Sequence, residues 1–581
     1  MQGFTNLASF LKELRRIGEL VDITEPVDPN LEIAEIHRRV AAADGPALFF
    51  HSVKGSSFPV VTNLFGSTRR VDLAFRNRPD QVIAKLVKLA TGPFPPKLKS
   101  VWHSRHTFNN LRLKRLRKAK VAQCQTQDLT TLPFLKCWPE DGGHFITLPL
   151  VYTQPPDGHT PANLGMYRIQ RYDAQTCGLH FQIQKGGGFH YHCAEKMGQA
   201  LPVTIFIGGP PALMLSAITP LPENVCELLL TGILQGSRLE LTQGPQPLIS
   251  ECEFALVGQA PPHLRRTEGP FGDHYGYYSL EHDFPIFQLH TCYHKKDAVY
   301  PATVVGKPRQ EDFYIGEYLQ KLLSPIFPMV MPGVKDLWSY GETGFHALSA
   351  AVVQERFYRE CMTSAFRILG EGQLSLTKFL LVTDQPIDLK NFKAVLTLIL
   401  ERFSPETDLF IFSHLCLDTL DYAGPQLNKG SRGIMLGIGD KKRSLPEQWQ
   451  GKLPAGTTQA RAYCPGCLVI EGEPVQLSDF HPWPLVILVD NLEKTLRSDA
   501  TFLWTTFTRF DPASDLHSAQ PKIVQNHISH QGPLLLDARM KAHYPKEVLP
   551  DHITTELVTQ KWNRYFPAGQ EMGHSDTAHV C

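Results

Sequence analysis

The chain opens on an amphipathic pattern. Leu7, Phe10, Leu11, Leu14 and Ile17 recur at helical spacing, with Asn6 before them as a cap and Gly18 after them as a stop. The apolar runs ALFFHSV (47–53) and PVVTNLF (59–65) read as strands, and a second helix is expected over roughly 80–91. This is an α/β unit. From about 126 to 300 the texture changes: FITLPLVYT, LHFQIQ, PVTIFIGG and FPIFQLHTC alternate with Gly/Pro turns, as in a β-barrel or sandwich. One helix, ENVCELLLTGIL (223–234), is expected to interrupt them. From about 310 helical patterns alternate with single strands, and an echo appears. KFLLVTD (378–384) leads through a helical stretch to RFSPETD (402–408), and PLVILVD (484–490) leads through another to RFDPASD (509–515). Two similar βα units are expected, each RF-x-P-x-x-D being a helix end followed by a capped turn. The fold class is therefore α+β, divided into an N-terminal α/β domain (1–125), a β domain (126–305), a C-terminal α/β domain (306–540) and a polar tail (541–581).

Composition narrows the function classes. The 581 residues suffice for several domains, and 42% hydrophobic with 10% aromatic content marks a globular protein. Basic and acidic residues nearly cancel, 58 against 57, so no global footprint for nucleic acid exists. Twelve scattered cysteines read as free thiols of a reducing compartment. The N-terminus is no signal peptide and no run reaches a membrane span, so a cytoplasmic protein is expected. Residues 81–127 hold no acid, and LRLKRLRKAK (111–120) packs six basic residues. That stretch reads as a solvated connector, or as a membrane-surface or phosphate patch.

Candidate chemistry centres on TEGPFGDHYGYY (267–278). Glycine and proline break regular structure, so Glu268 and Asp273 lie on a turn that can aim both carboxylates into one cavity. Two acids in one cavity push their pKa values apart, which can leave one protonated near neutral pH. The alternative is a solvated hairpin. NLGMYR (163–168) sets Asn163 and Arg168 five apart; on one strand they face opposite ways unless the chain bends, which Gly165 permits. Arg168 can hold Glu268 or grip a substrate carboxylate. QKGGGFHYH (184–192) joins Lys185 and three glycines to His190 and His192. No helix is expected there, so it is a weak phosphate signal. The two histidines would share a strand face, as a zinc pair or as structural residues. CPGC (464–467) has no second pair and reads as a turn with two thiols.

VTNLFGSTRR (61–70), NLGMYR, AITP (217–220), GSRLE (236–240), EGPFGDHYGYY and TKFLLVTD (377–384) occur in this order, and together they resemble the UbiD family of prenylated-FMN-dependent (de)carboxylases as far as about residue 445. A looser similarity is to longer members associated with menaquinone biosynthesis. The resemblance implies that the middle domain is a flavin-reductase-like split barrel holding prenylated FMN, and that the C-terminal domain mediates a homodimer or larger homo-oligomer. It implies a separate flavin prenyltransferase as cofactor supplier, a divalent metal, usually Mn2+, at the cofactor phosphate, and K+ nearby. By motif, Arg168, Glu268 and Asp273 match the catalytic residues, with Asp273 the proton donor. Asn163 and Glu240 match metal ligands. Gly165, Met166, Tyr167, Thr219 and Pro220 line the cofactor. Many members carry a metal-ligand His where this chain has Gln184; a Gln oxygen can bind a hard cation, or His180, His190 or His192 can substitute. Lys429, Arg432 or Lys441 would supply the basic residue expected in the C-terminal domain.

The resulting expectation is a non-oxidative decarboxylase acting on an aromatic carboxylic acid, a menaquinone or ubiquinone precursor. A prenylated substrate would bring it to a membrane surface, where 111–120 would suit. The alternatives are a decarboxylase of a phenolic or acrylic acid outside quinone synthesis, and a non-catalytic flavin-binding carrier.

Overall fold

Asn6 caps the first helix, Leu7–Arg16, by accepting the Ser9 N–H at 2.9 Å, and Gly18 follows it at φ +75°. The structure is a computed structural model and describes residues 3–92, 109–158, 161–182, 185–221, 225–307 and 309–574. Strands Leu20–Ile23, Ala47–Phe50 and Val60–Thr62 form a four-stranded sheet that Tyr300–Pro301 completes from far along the chain. The chain falls into two units, Met1–Leu322 with Glu547–Val580, and Leu323–Lys546. The first unit thus runs past 305 and takes back most of the stretch read as a tail.

One helix of the first unit escaped the hydrophobic pattern. Glu32–Ala42 is buried on nearly every face, charges included. Glu35 binds both Arg38 and Arg39 at 2.7 Å, with all three side chains at most 5% exposed. A buried charge is tolerated only when fully partnered. Further partners come from the polar C-terminal stretch, which holds a helix, His552–Tyr565. Arg39 donates to the Thr555 carbonyl at 2.9 Å, and the Tyr565 hydroxyl donates to Glu32 at 2.5 Å.

The middle of the chain builds a ten-stranded sheet. Along its main path Phe145–Ile146, Ile169–Arg171 and Thr176–Leu179 stand at one end, and Pro149–Thr153 and Asn163–Gly165 at the other. Asn163–Gly165 and Ile169–Arg171 are six strand spacings apart on that path, about 29 Å if the sheet were flat. The link from Gly165 to Ile169 reaches at most about 14 Å. The sheet must therefore curl, and it forms a half-barrel. Among the described residues three helices, not the one expected, lie between its strands: Gly186–Lys196, Pro211–Ile218 and Glu227–Gln235. Tertiary context overrides the poor helix propensity of the glycines that open the first of them.

The second unit repeats itself. One five-stranded sheet orders Val334–Ser339, Leu348–Val353, Phe379–Thr383, Gly430–Gly437 and Leu409–Leu415. The other orders Thr457–Cys464, Cys467–Gly472, Leu485–Val489, Leu534–Asp537 and Leu516–Ser518. Each runs antiparallel, parallel, parallel, antiparallel. The echoed motif closes the same turn in both: Asp408 accepts the Ser404 N–H at 2.8 Å, and Asp515 accepts the Asp511 N–H at 2.7 Å. Cys464 and Cys467 face each other across a two-residue turn, both as free thiols.

Candidate active site

Glu268 ends the strand Arg265–Glu268, opposite His282. Gly269, at φ +100°, turns the chain into the acid loop, a conformation that glycine adopts without strain. Asp273 then opens a tight turn. Its N–H donates to the Tyr277 carbonyl at 3.0 Å, and the Gly276 N–H donates to the Asp273 carbonyl at 2.8 Å. Buried side chains pin the loop backbone. Asp141 accepts the Gly272 N–H at 2.8 Å, and its other oxygen accepts the Cys137 and Trp138 N–H groups at 3.0 and 2.9 Å. Gln170 accepts the Gly269 N–H at 2.8 Å.

Arg168 stands between the two acids. Its Nε and Nη2 meet Glu268 Oε1 and Oε2 at 2.8 and 3.0 Å, and its Nη1 meets Asp273 Oδ2. Nη2 also donates to the Ser279 hydroxyl at 2.8 Å, and the guanidinium lies 4.8 Å from the Phe271 ring centre. Glu268 has no exposed side-chain surface. His180 Nδ1 lies 3.3 Å from Glu268, and His274 reaches Asp273 Oδ1 through its backbone N–H at 2.7 Å and its Nδ1 at 2.8 Å.

Burial alone would raise both carboxyls. Arg168, with help from His180, outweighs it at Glu268 and brings that group down to about 2. At Asp273 the His274 hydrogen bond and the Arg168 charge overcome burial and hold the carboxyl well below its ordinary range. The expectation that one acid stays protonated is therefore corrected for this arrangement. The shared cation cancels the repulsion that would have separated them. Burial, then the Arg168 charge, holds His180 below the usual imidazole range.

Asn163 and Arg168 do not share a bent strand, as the sequence reading allowed. The strand stops at Gly165 and the chain crosses the curl before Ile169–Arg171 begins. In the crossing, Tyr167 folds back so closely that a Cβ on Gly165 would stand 2.3 Å from its hydroxyl oxygen. That hydroxyl accepts the Gly187 N–H at 3.2 Å and the Asn163 Nδ2 at 3.3 Å. Gly186 begins a helix here, with no side-chain cap. A Cβ on Gly186 would come within 2.2 Å of Asn163 Oδ1. An uncapped, glycine-opened helix start beside Lys185 is chemically suited to a phosphate. His190 and His192 accordingly ride on a helix, not a strand. His190 is buried against Thr153 Oγ1 at 2.9 Å and pushed by burial down to about 4, while His192 is exposed, so they form no metal pair.

The remaining expected residues divide. Met166 packs partly buried against the apolar cluster that holds Leu150 and Met214. The Thr219 hydroxyl donates to the Leu215 carbonyl at 2.7 Å as its helix ends, and Pro220 is exposed. Gln184 lies outside the described residues. Glu240 pairs with Lys114 at 2.6 Å, where 114–116 of the basic stretch forms a parallel ladder with 240–242. Sequence reasoning passed over Glu227. It opens the helix Glu227–Gln235, and its carboxylate accepts the Leu164 N–H at 2.8 Å, beside Asn163. A lone acid opening an apolar helix was the available signal. Asn163 and Glu227 supply hard oxygen donors at one strand end, a chemistry that suits a divalent cation. Among the described residues no group of three His, Cys, Asp or Glu side chains gathers for a metal. In the second unit Lys429 holds Gln426, Lys441 holds Glu401, and Arg432 donates to the Cys416 carbonyl at 2.7 Å.

Three family models match the chain in sequence: the 3-octaprenyl-4-hydroxybenzoate carboxy-lyase N-terminal domain at 11–90, its Rift-related domain at 113–308 and its C-terminal domain at 313–437. A Chlamydia pneumoniae protein named as a subunit of 4-hydroxybenzoate decarboxylase is 54% identical over 582 residues, 96% of this chain and 99% of that one. The fold is similar to vanillic acid decarboxylase from Sedimentibacter hydroxybenzoicus in its closed form, with TM-score 0.66, 22% identity, and 78% and 97% of the two chains covered. It is also similar to an evolved dimeric form of the UbiD-class enzyme HmfF from Pelotomaculum thermopropionicum in complex with prFMN, with TM-score 0.62, 20% identity, and 78% and 97% covered. With the arginine-bridged acids and the glycine-opened helix lying within the Rift-related match, the chain belongs to the UbiD family of carboxy-lyases.

Proposed function

We propose that this protein is a prenylated-FMN-dependent, non-oxidative decarboxylase of an aromatic carboxylic acid. One observation carries the reading: a buried arginine holds two carboxylates together within the Rift-related match. The relative named for 4-hydroxybenzoate and the neighbour named for vanillic acid favour a hydroxylated benzoate ring. A quinone precursor is such an acid, and it is the substrate class we favour over acrylic acids. The curled half-barrel serves as the split-barrel cofactor domain, and a homo-oligomer supplied by a flavin prenyltransferase completes the working form.

The residues present fit the cofactor. Lys185 and the helix opened by Gly186 would hold its phosphate, with Gly165, Met166, Tyr167, Thr219 and Pro220 along its body. Asn163 and Glu227 would hold the divalent metal, Mn2+ in our reading. When bound, prenylated FMN supplies an electron sink for the carbon that loses CO2. The protein supplies position, dryness and a proton. Replacing the carboxylate by hydrogen consumes one proton, and a carboxylate that cannot hold a proton cannot deliver one. An incoming substrate carboxylate competes for the Arg168 guanidinium. Its negative charge raises Asp273, which then takes up one proton from solvent and passes it to the ring carbon as CO2 leaves. Glu268 keeps Arg168 oriented throughout.

The test is co-expression with a flavin prenyltransferase, then the visible spectrum and mass of the released cofactor and CO2 release from a panel of hydroxybenzoates. Prenylated FMN with turnover that Glu268→Gln abolishes supports the reading. A folded protein that holds plain FMN or none, without turnover, sinks it and leaves the carrier alternative.

A further inference from the structure

We propose that Glu547 is a positioning residue for the acid loop, and that Glu547–Val548 is a strap holding the Asp273 turn in place. The proposal rests on the functional reading above. The chain re-enters the first unit at Glu547 and meets the loop at once. Glu547 pairs in an antiparallel bridge with Tyr277, and the Val548 N–H donates to the Gly276 carbonyl at 3.0 Å. Gly276 and Tyr277 are the two residues whose backbone groups close the turn on Asp273. Asp141 and Gln170 secure the near side of the loop, at Gly272 and Gly269. The strap secures the far side, beyond Asp273.

The strap is itself anchored. The Glu547 carboxylate pairs with Lys307, whose side chain is 2% exposed. Val548 is buried in the core cluster that also holds Trp138 and Tyr278. Four residues further on, the helix His552–Tyr565 begins and docks on Glu32–Ala42. Removing the Glu547 carboxylate breaks its ion pair with the buried Lys307 and takes away the side-chain anchor of the bridge. The bridge loosens, and the turn can then carry Asp273 away from Arg168. A misplacement of about 1 Å at a reacting group costs about 10²-fold in rate. The matches to family models end at residue 437, so a motif search does not register Glu547.

The test uses the cofactor-loaded full chain with Glu547→Ala, Glu547→Asp and Glu547→Gln. Steady-state kinetics are read together with amide hydrogen exchange over residues 271–279. Glu547→Ala is expected to lower kcat about 10²-fold, with KM within about threefold and cofactor content unchanged. Exchange at Asp273 and Gly276 should speed up, the helix 552–565 should stay protected, and Glu547→Asp should recover part of kcat. Unchanged exchange over 271–279, or unchanged kcat, overturns the strap. If Glu547→Ala fails to fold, Glu547→Gln fills the same space without the charge and is judged by the same readings. If the unaltered protein releases no CO2, the functional reading fails on its own, and the exchange measurement still decides the strap.

Discussion

Arg168 grips Glu268 through two parallel hydrogen bonds, Nε to Oε1 at 2.8 Å and Nη2 to Oε2 at 3.0 Å, across one hundred residues of chain. The fork-to-fork geometry matches a planar guanidinium to a planar carboxylate, and no lysine can reproduce it. Arg168→Lys should therefore fold but lose about 10²-fold or more in kcat, because one ammonium cannot hold Glu268, Asp273 and Ser279 together. Arg168→Ala takes the shared cation away from two buried carboxylates, and it should cost about 3–5 kcal/mol in denaturant unfolding. Equal stability for wild type and Arg168→Ala would contradict the bridge.

The same contact sets an acid limit. Glu268 ordinarily titrates near 4.5 and is held down to about 2 in the fold. A depressed carboxyl stabilises fully above its unfolded value and loses that contribution as pH falls through the folded value. The window is thus from about pH 4.5 to 2, and the term is about 3 kcal/mol. Glu268→Gln should flatten the stability curve across that window, as measured by urea unfolding at stepped pH.

Glu227 and Glu240 make opposite predictions. If Asn163 and Glu227 hold the divalent ion, Glu227→Gln should strip bound manganese, read by elemental analysis of the purified holoenzyme. Glu240→Gln should leave it, because Glu240 forms an exposed pair with Lys114. Its loss should cost no more than about 1 kcal/mol. Manganese lost from Glu240→Gln but kept in Glu227→Gln would restore the motif-based assignment.

Gly186→Ala tests the phosphate cradle. Its Cβ would stand 2.2 Å from Asn163 Oδ1, so the amide must give way at the helix start. Flavin affinity should drop by about tenfold or more while the circular dichroism spectrum is unchanged.

Local features of the chain were legible without coordinates. Asn6 and Gly18 bound the first helix because caps act within a few residues. The RF-x-P-x-x-D turns and the repeated strand–helix order read directly, since their hydrogen bonds close within four residues. The acid loop announced itself by its glycines and proline, and Arg168 by its motif. The short-range elements, their rough order and the residues that carry chemistry can therefore be read from the chain alone.

The rest depends on partners that the folded chain brings from afar. The helix Glu32–Ala42 is full of charges whose partners include residues more than five hundred positions away. The glycine triplet starts a helix where the Tyr167 hydroxyl accepts the Gly187 N–H and Asn163 leaves no room for a Cβ on Gly186. The protonation of Glu268 and Asp273 turned on one guanidinium placed between them, which spacing cannot reveal. The curl of the sheet follows from pairing order, and it brings together Asn163, on the strand at one end of the path, and Arg168, just ahead of a strand near the other end.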